Sequence, residues 1–260
     1  MGILNVTPDS FSDGGCHFAP DRAIEAGLAM AAAGAAMVDV GGESTRPGAG
    51  PVAPDEEQAR VLPVIRALAR RGVVVSVDTR NATTMQAALS AGAQIINDIS
   101  ALTHDPAALA LVARAECGVV LMHMRGTPAT MGQLANYDDV VGEVRAKLAD
   151  RLAIAEAAGI DRSRIALDPG IGFAKSRPQN LGLLRGLPRL SDLGCKLVVG
   201  VSRKRFIGSI SEVDAPAGRL AGSLAAGLFA ISRGAAVLRV HDVAETVQAL
   251  RVWRELTALG

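Results

Sequence analysis

Short apolar segments alternate with Ala- and Leu-rich amphipathic segments along the whole chain, and this alternation limits the possible folds more than any other sequence feature. The apolar segments are GILNV (2–6), AMVDVG (36–41), VVVSVD (73–78), QIINDI (94–99), GVVLMH (118–123), RIALDPG (164–170), KLVVGVS (196–202) and AAVLRVH (235–241). Each is nearly all apolar, which is typical of a parallel strand covered on both faces. Eight strand–helix units in 260 residues predict an α/β protein with one (β/α)8 (TIM) barrel, a single domain over residues 1–260.

The segments between these strands have the composition and the ends of helices. They lie at roughly 21–33, 55–71, 81–91, 106–116, 138–158, 178–190, 203–210 with 216–233, and 243–258. Many end at a glycine that can adopt the left-handed cap: Gly34, Gly72, Gly92, Gly159, Gly194 and Gly234. An open doubly wound sheet is the alternative. Its GxGxxG fingerprint does not follow the first strand, and Gly170-Ile171-Gly172 is only a fragment of it.

Charge and composition limit the partners of the chain. The net charge is +1 and aromatic residues make up 3%, so we expect neither nucleic acid nor a membrane surface as a partner. No apolar run has the length of a membrane span, and no secretory leader is visible. Cys16, Cys117 and Cys195 are widely spaced and odd in number, which indicates free thiols in a reducing cytoplasm. Met1 falls almost inside the first strand, so the N-terminus looks shortened.

Polar residues stand at the carboxyl ends of the predicted strands, where the loops of a barrel carry its chemistry. They are Asn5, Asp78, Asn97, Asp98, His123, Asp168, Ser202, Arg203, Lys204, Arg239 and His241. Such residues also cap helices and satisfy loops, which is the role we expect for Asp98 and Asp242. Most of the others would converge on one mouth, where isolated charges are costly unless a ligand satisfies them. The pattern therefore predicts a polar ligand site.

Eight motifs of the chain occur in the order found in bacterial dihydropteroate synthases. They are GILNVTPDSFSDGG, GGESTRPG, VDT, INDIS, LMHMRGTP, LDPGIGF, GVSRKRFIG and RVHDV, and the first, second and seventh are the most specific. The chain resembles this family over essentially its whole length. The resemblance implies that it condenses 6-hydroxymethyl-7,8-dihydropterin pyrophosphate with p-aminobenzoate, giving 7,8-dihydropteroate and pyrophosphate in folate biosynthesis. It also implies a target of sulfonamides and a homodimer.

The resemblance assigns a pterin pocket to the strand ends. A dihydropterin carries an amine and a ring N–H on one edge, and a carboxylate such as Asp168 accepts both. Asn97 can donate and accept at a mixed ring edge, and Lys204 can donate to the ring carbonyl. Met122 would floor the pocket and Phe173 would wall it, although a core role is about as common for either side chain.

The pyrophosphate and a metal ion are expected on the other side of the mouth. Barrels commonly bind phosphate at the loops after strands seven and eight, where Arg239 and His241 stand two residues apart. Arg239 offers a fork of donors and can also lie over the pterin face. Asn5 supplies an oxygen that, with pyrophosphate oxygens, can bind Mg²⁺, an ion that needs few protein ligands.

The chemistry favours a dissociative route, in which pyrophosphate leaves before the amine attacks. The pterin delocalises positive charge at its CH₂ group, so catalysis means stabilising a cation and a leaving anion. Asp78 is the expected partner of the cation, and the site should close against water. Two polar loops supply the rest: Phe11 caps the second substrate, Thr45 and Arg46 approach the pyrophosphate, and Pro47 forms a rigid wall. The resemblance adds Ser202 and Lys204 to the p-aminobenzoate pocket.

Two other functions fit parts of the sequence. A pterin-binding methyltransferase with a corrinoid acceptor would share Asp78, Asn97 and Asp168, but has no use for NVTPDSFSDGG, STRPG or SRK. A non-enzymatic paralogue that only binds pterins should have lost a member of the site, and none is visibly lost.

Overall fold

A computed structural model describes residues 1–7, 20–44 and 50–258 of the chain. Its described residues form one sheet of eight parallel strands in sequential order. The strands are β1 (Gly2–Asn5), β2 (Val38–Gly41), β3 (Val75–Asp78), β4 (Ile95–Asp98), β5 (Gly118–Met122), β6 (Ile165–Asp168), β7 (Lys196–Val199) and β8 (Ala235–Leu238). The sheet closes between its last and first strands, because Ile3 donates to Val240 at 2.8 Å and Val240 donates to Met1 at 3.0 Å. The predicted (β/α)8 barrel is confirmed.

Helices follow the strands and cover the outside of the barrel. They are α1 (Pro20–Ala32), α2 (Pro54–Ala69), α3 (Ala82–Ser90), α4 (Ala108–Arg114), α5 (Val140–Ala157), α6 (Arg177–Arg185), α7 (Leu187–Ser191), α8 (Arg205–Ser211), α9 (Leu220–Ser232) and α10 (Val243–Thr257). The helix expected at 178–190 is divided at Gly186, since Pro188 lacks the N–H that would continue it. None of the helices in the described ranges combines the length and the apolar composition that crossing a membrane requires.

Successive residues of each strand point alternately toward the helices outside the sheet and toward the inside of the barrel. Residues such as Val40, Val77, Leu121 and Leu167 point outward and belong to one large buried cluster with the helices. The intervening residues point into the barrel, and at its carboxyl end they are the polar residues of the strand ends. The two-residue period of the strands therefore places apolar side chains in the outer core and polar side chains at the mouth of the barrel.

The strands are shorter than the apolar segments that predicted them. β5 ends at Met122, β7 at Val199 and β8 at Leu238, so His123, Ser202, Arg239 and His241 lie just beyond them. These polar side chains therefore lie in the segments that follow the strands. Asp98 ends β4 and accepts hydrogen bonds from Ser100 N at 2.7 Å and Leu102 N at 2.9 Å, which is the loop-satisfying role expected for it.

Replacing Leu167 by alanine tests the outer core. Leu167 is fully buried between β6 and the helices, so Leu167→Ala should lower the free energy of unfolding by about 2–5 kcal/mol through lost burial and a cavity. Calorimetric melting measures this as a lower Tm. Ile154→Ala, at a side chain that is 42% exposed, is the control and should change stability by less than about 0.5 kcal/mol. Equal effects of both variants would contradict the packing described for β6.

Candidate active site

The parallel register brings the ends of the first four strands side by side at the mouth of the barrel. Asn5 is level with Gly41, Gly41 with Asp78, and Asp78 with Asn97. A side chain on Gly41 would lie against Asp78, because an ideal Cβ there falls 3.4 Å from the Asp78 Cβ. Glycine at this position leaves room at the mouth for the side chains on either side.

Arg239 connects two buried carboxylates across the mouth. Its Nε donates to Asp39 Oδ2 at 2.6 Å and its Nη2 donates to Asp78 Oδ2 at 2.7 Å. Asn97 Nδ2 also donates to Asp39 Oδ2, at 2.9 Å. Burial raises the pKa of Asp78 to about 7; Arg239 opposes this shift and the Asp39 charge adds to it. The mouth thus holds a network whose charge balance depends on one arginine.

Asp39 belongs to this network, but the sequence analysis did not select it. The residue lies inside β2 rather than at its end, and only strand ends were searched for functional side chains. Its Oδ1 is buried and has no hydrogen-bond partner among the residues described. A carboxylate within an otherwise apolar strand was the available signal, because such a charge needs a partner.

A second group of side chains surrounds Asp168 at the end of β6. Asp168 Oδ1 accepts a hydrogen bond from Gly170 N at 2.7 Å. Lys204 donates its Nζ to the Ile171 carbonyl and lies 4.8 Å from the ring centroid of Phe173. Burial raises the pKa of Asp168, with Lys204 opposing the shift, and burial lowers the pKa of Lys204 to about 8, with Asp168 opposing. The buried Asp168 carboxyl and the partly buried Lys204 amine therefore each favour the charged form of the other.

Gly200 joins the two groups. An ideal Cβ on this residue would fall 3.8 Å from Lys204 Nζ and 3.8 Å from the Arg239 Cβ. Lys204 and Arg239 thus both lie within van der Waals distance of the space that a side chain on Gly200 would occupy. Met122 is level with Asp168 in the sheet and is buried, so it lies beside Asp168 at the end of the barrel.

Ser202 and His241 form a pair at the edge of the mouth. The Ser202 hydroxyl lies 3.0 Å from His241 Nδ1 and accepts a hydrogen bond from the His241 backbone N–H at 3.2 Å. Because this hydroxyl already accepts, its own proton is free for Nδ1, and the other ring nitrogen of His241 can then carry an N–H. Asp242 forms an ion pair with Arg203, as expected for a structural residue.

Some site residues of the sequence analysis fall outside the described residues. Phe11, Thr45, Arg46 and Pro47 are in this class. Asn5 is described; its side chain is partly buried and makes no hydrogen bond within the described ranges. The described residues contain no group of three or more His, Cys, Asp or Glu side chains that could hold a metal ion.

An ion pair next to the mouth was also missed in the sequence. Arg80, just after β3, donates its Nη2 to Glu43 Oε1 at 2.8 Å and its Nε to Glu43 Oε2 at 3.2 Å. Val52 N also donates to Glu43 Oε1, at 3.3 Å. One carboxylate therefore ties both ends of the segment between β2 and α2 to the end of β3. Arg80 and Glu43 are far apart in the sequence, so no local sequence pattern predicts that they pair.

The pKa of Asp78 makes stability depend on pH. The folded chain keeps this proton up to about pH 7, whereas the unfolded chain releases it near the ordinary value of 3.8. Stability should therefore fall as pH rises through this window, because the folded state binds the extra proton. Asp78→Asn cannot ionise, so its Tm relative to the unmodified chain should increase between about pH 5 and pH 8. Melting curves across that range measure the difference.

Asp105→Asn is the control for this prediction. Hydrogen bonds from the backbone of Ala107 and Ala82 lower the pKa of Asp105, so its ionised form stabilises the fold above the ordinary pKa. Its substitution should lower the Tm by an amount that stays constant over the same pH range. A Tm difference for Asp78→Asn that is also constant with pH would contradict the description of Asp78 as a buried carboxyl.

Comparisons with known proteins assign the chain to a family. Residues 1–241 match the family described as "Pterin binding enzyme". The chain is 47% identical over 253 residues to dihydropteroate synthase of Escherichia coli (strain K12), which covers 97% of this chain and 89% of that protein.

Solved structures agree with this match. Dihydropteroate synthase of Xanthomonas albilineans with 4-aminobenzoic acid has a TM-score of 0.94 and 50% identity, covering 100% of this chain and 93% of that one. The Yersinia pestis enzyme in a sulfonamide drug complex has a TM-score of 0.93 and 44% identity, covering 99% of this chain and 94% of that one. The family resemblance seen in the motifs is confirmed: this chain belongs to the dihydropteroate synthases, the pterin-binding transferases of folate biosynthesis.

Proposed function

We propose that the chain condenses 6-hydroxymethyl-7,8-dihydropterin pyrophosphate with p-aminobenzoate by a dissociative route at the mouth of the barrel. The observation that supports this proposal is that two groups of charged side chains, one around Asp168 and one around Arg239, meet at this end of the barrel. Asp168 and Lys204 form one of these groups and Arg239 with its two carboxylates forms the other, and Lys204 and Arg239 both approach Gly200. Buried and partly buried charges of both signs at one end of the barrel suit a flat polar heterocycle that carries an anionic group.

The pterin ring is bound by the Asp168 side of the mouth. Asp168 Oδ1 accepts from Gly170 N and has a second lone pair, and none of the hydrogen bonds between described residues uses Oδ2, so the two oxygens can receive the amine and ring N–H of the pterin edge. Asn97 uses its Nδ2 on Asp39 and keeps its Oδ1 as an acceptor. Lys204 donates one N–H to the Ile171 carbonyl, and its other two N–H groups can donate to the ring carbonyl. Met122 and Phe173 supply apolar surface to the ring.

The leaving pyrophosphate is bound by the Arg239 side. Arg239 donates from Nε and Nη2 to carboxylates, so its Nη1 protons can donate to an anion. Its guanidinium plane can also stack on the pterin face. His241 Nδ1 is paired with the Ser202 hydroxyl, and with the Ser202 proton on Nδ1 the other ring nitrogen of His241 would donate to the anion. The amino end of α10 begins directly after these residues and adds its positive dipole.

Among the described residues, Asn5 would be the one to hold Mg²⁺ beside the pyrophosphate, since this ion is commonly bound through one or two protein oxygens together with substrate phosphates. When bound, the ion would neutralise charge on the leaving group. Asn5 is also proposed as one of the residues that position the pyrophosphate.

The reacting CH₂ group develops positive charge as pyrophosphate leaves. Asp78 stabilises this charge in its ionised form, which Arg239 favours and burial opposes. Asp39 keeps Arg239 in place while Asp78 is engaged. The aniline nitrogen of p-aminobenzoate then attacks the cation and loses a proton to solvent or pyrophosphate. The residues with catalytic roles are thus Asp78, Asn5, Lys204, Arg239 and His241.

The p-aminobenzoate pocket is proposed from the sequence. Phe11, Thr45 and Pro47 would form it, with Lys204 and Ser202 on the described side, and Arg46 would join Thr45 at the pyrophosphate. Lys204 is the described residue that reaches both substrates in this arrangement. Sulfonamides, which resemble p-aminobenzoate, are proposed to occupy the same pocket, and the Yersinia pestis relative is described with such a drug.

The chain is also proposed to work as a homodimer in the cytoplasm. Phe229 on α9 and Val252 and Leu256 on α10 expose apolar side chains on the outside of the barrel, which suits an interface between two copies. Cys117 and Cys195 are free thiols, which is usual in a reducing compartment.

Direct assay tests the reaction. The purified chain with dihydropterin pyrophosphate, p-aminobenzoate and Mg²⁺ should release dihydropteroate and pyrophosphate in equal amounts. Excess chelator should abolish turnover, because Mg²⁺ neutralises the leaving group, and added Mg²⁺ should restore it. Undiminished turnover in chelator would remove the metal from the mechanism. Absence of dihydropteroate under all conditions would overturn the proposed function.

Asp168→Asn tests the pterin pocket. The substitution keeps the shape and an acceptor for Gly170 but removes the charge that receives the ring donors, so pterin binding should weaken by about 2–3 kcal/mol, roughly 30- to 150-fold. Calorimetric titration with dihydropterin pyrophosphate measures it. Asp138→Asn, at an exposed position, is the control and should bind like the unmodified chain. Unchanged affinity in Asp168→Asn would place the pterin elsewhere.

A further inference from the structure

A lysine that the proposed mechanism does not use is buried beside the pterin pocket. Lys175 lies in the loop between β6 and α6 and is 9% exposed. Its Nζ lies 3.0 Å from the Gly170 carbonyl, 2.9 Å from the Phe173 carbonyl and 3.0 Å from His123 Nδ1, with the His123 carbonyl at 3.4 Å. No carboxylate in the described part of the chain forms a salt bridge with it. A buried ammonium group held by neutral acceptors needs an explanation.

The loop around Lys175 is folded so that its carbonyls turn inward. Gly170, Gly172 and Ala174 all have positive φ, at 67°, 85° and 48°. Such a backbone is unfavourable for alanine and persists only where surrounding contacts determine it. The loop also packs directly on the end of β5, since an ideal Cβ on Gly170 would fall 2.0 Å from the His123 carbonyl oxygen. Lys175 supplies the donors that this group of carbonyls requires.

The same loop carries the groups that the pterin pocket uses. Gly170 accepts from Lys175 through its carbonyl and donates to Asp168 Oδ1 through its N–H at 2.7 Å. The next residue, Ile171, turns its carbonyl the other way and accepts from Lys204. Asp168 and Lys204 are therefore oriented by a backbone that Lys175 holds from behind.

We propose that Lys175 is a positioning residue of the pterin pocket, acting through the β6–α6 loop on Asp168 and Lys204. It touches neither the substrate nor the reacting atoms. His123 assists it by presenting Nδ1 as an acceptor, which requires a neutral imidazole with its proton on the other nitrogen. This inference rests on the proposed binding of the pterin at Asp168.

The electrostatics agree with the geometry. Burial lowers the pKa of His123 to about 3, and the nearby Lys175 charge adds to this shift, so the imidazole is neutral and free to accept. Burial also lowers the pKa of Lys175 to about 7; Asp168 opposes this shift, and the Lys204 and Arg125 charges add to it.

Lys175→Met is the first test. Methionine fills the space but cannot donate, so the loop loses its anchor and the KM and Kd for dihydropterin pyrophosphate should rise at least about tenfold. The KM for p-aminobenzoate should rise several-fold less than the pterin KM, because in the proposed arrangement that substrate meets the loop only through Lys204, whereas the pterin also depends on Asp168. A merely structural role would lower the folded, active fraction and so reduce kcat while leaving both KM values unchanged. Lys196→Met, at an exposed lysine at the start of β7, is the matched control and should leave all three constants unchanged.

Chemical rescue is the second test. Lys175→Ala keeps Cβ, and n-propylammonium reproduces the methylene groups and the ammonium that are lost. Adding this cation should restore pterin affinity saturably, whereas n-propanol, which has nearly the same shape but no charge, should not. If neither Lys175 variant folds, His123→Leu removes one acceptor and leaves the lysine. It should then raise the pterin KM about threefold or more.

These outcomes separate this inference from the proposed function. If the unmodified chain binds no dihydropterin pyrophosphate in calorimetry, the proposed function fails first. If the unmodified chain binds it and Lys175→Met or, failing that, His123→Leu binds it equally well, only the positioning role is overturned. Loss of kcat with unchanged pterin KM and no rescue by n-propylammonium would also overturn it.

Discussion

The active site depends on the ability of one guanidinium group to keep two buried carboxylates together. Asp39 and Asp78 face the inside of the barrel from neighbouring strands, where burial and the Asp39 charge raise the pKa of Asp78 and Arg239 opposes that rise. Arg239 reaches both from the segment after β8, 200 residues along the chain from Asp39. Closure of the barrel makes this contact possible, since pairing of that segment with β1 brings it within reach of β2 and β3. The fold and the charge balance of the site therefore require each other.

How far the sequence predicts this structure depends on the range of the interaction. The strands and helices follow from local apolar periods, and the barrel follows from their number and order, so these were predicted. Asp78, Asn97, Asp168, Lys204 and Arg239 were found because strand ends in a barrel point to one mouth. The predicted ends of β7 and β8 lie later in the chain than the observed ends, because apolar residues such as Val201 and Val240 continue beyond Val199 and Leu238.

The missed residues share a physical reason. Asp39 lies within a strand, Lys175 lies within a loop, and Glu43 and Arg80 belong to different loops, so the importance of each appears only when a distant partner is placed beside it. No local sequence pattern predicts that a lysine will donate to a group of backbone carbonyls. Local patterns can identify residues that face a common space, but they do not show which of them orient the others.

Several polar groups of the site have pKa values or hydrogen bonding that differ from those of the same groups in water. Asp78 and Asp168 have raised pKa values, Lys204 and Lys175 have lowered ones, and Asp39 keeps one oxygen without a hydrogen bond among the described residues. Each of these costs folding free energy that the large outer core of the barrel offsets. In the proposed function, a substrate with ring donors, a ring carbonyl and a pyrophosphate would supply the missing partners, so part of its binding energy would come from groups that the folded chain leaves incompletely satisfied. Arg239 pairs with Asp39 and Asp78 in the absence of substrate, and in the proposed positioning role Lys175 keeps the loop beside Asp168 in place.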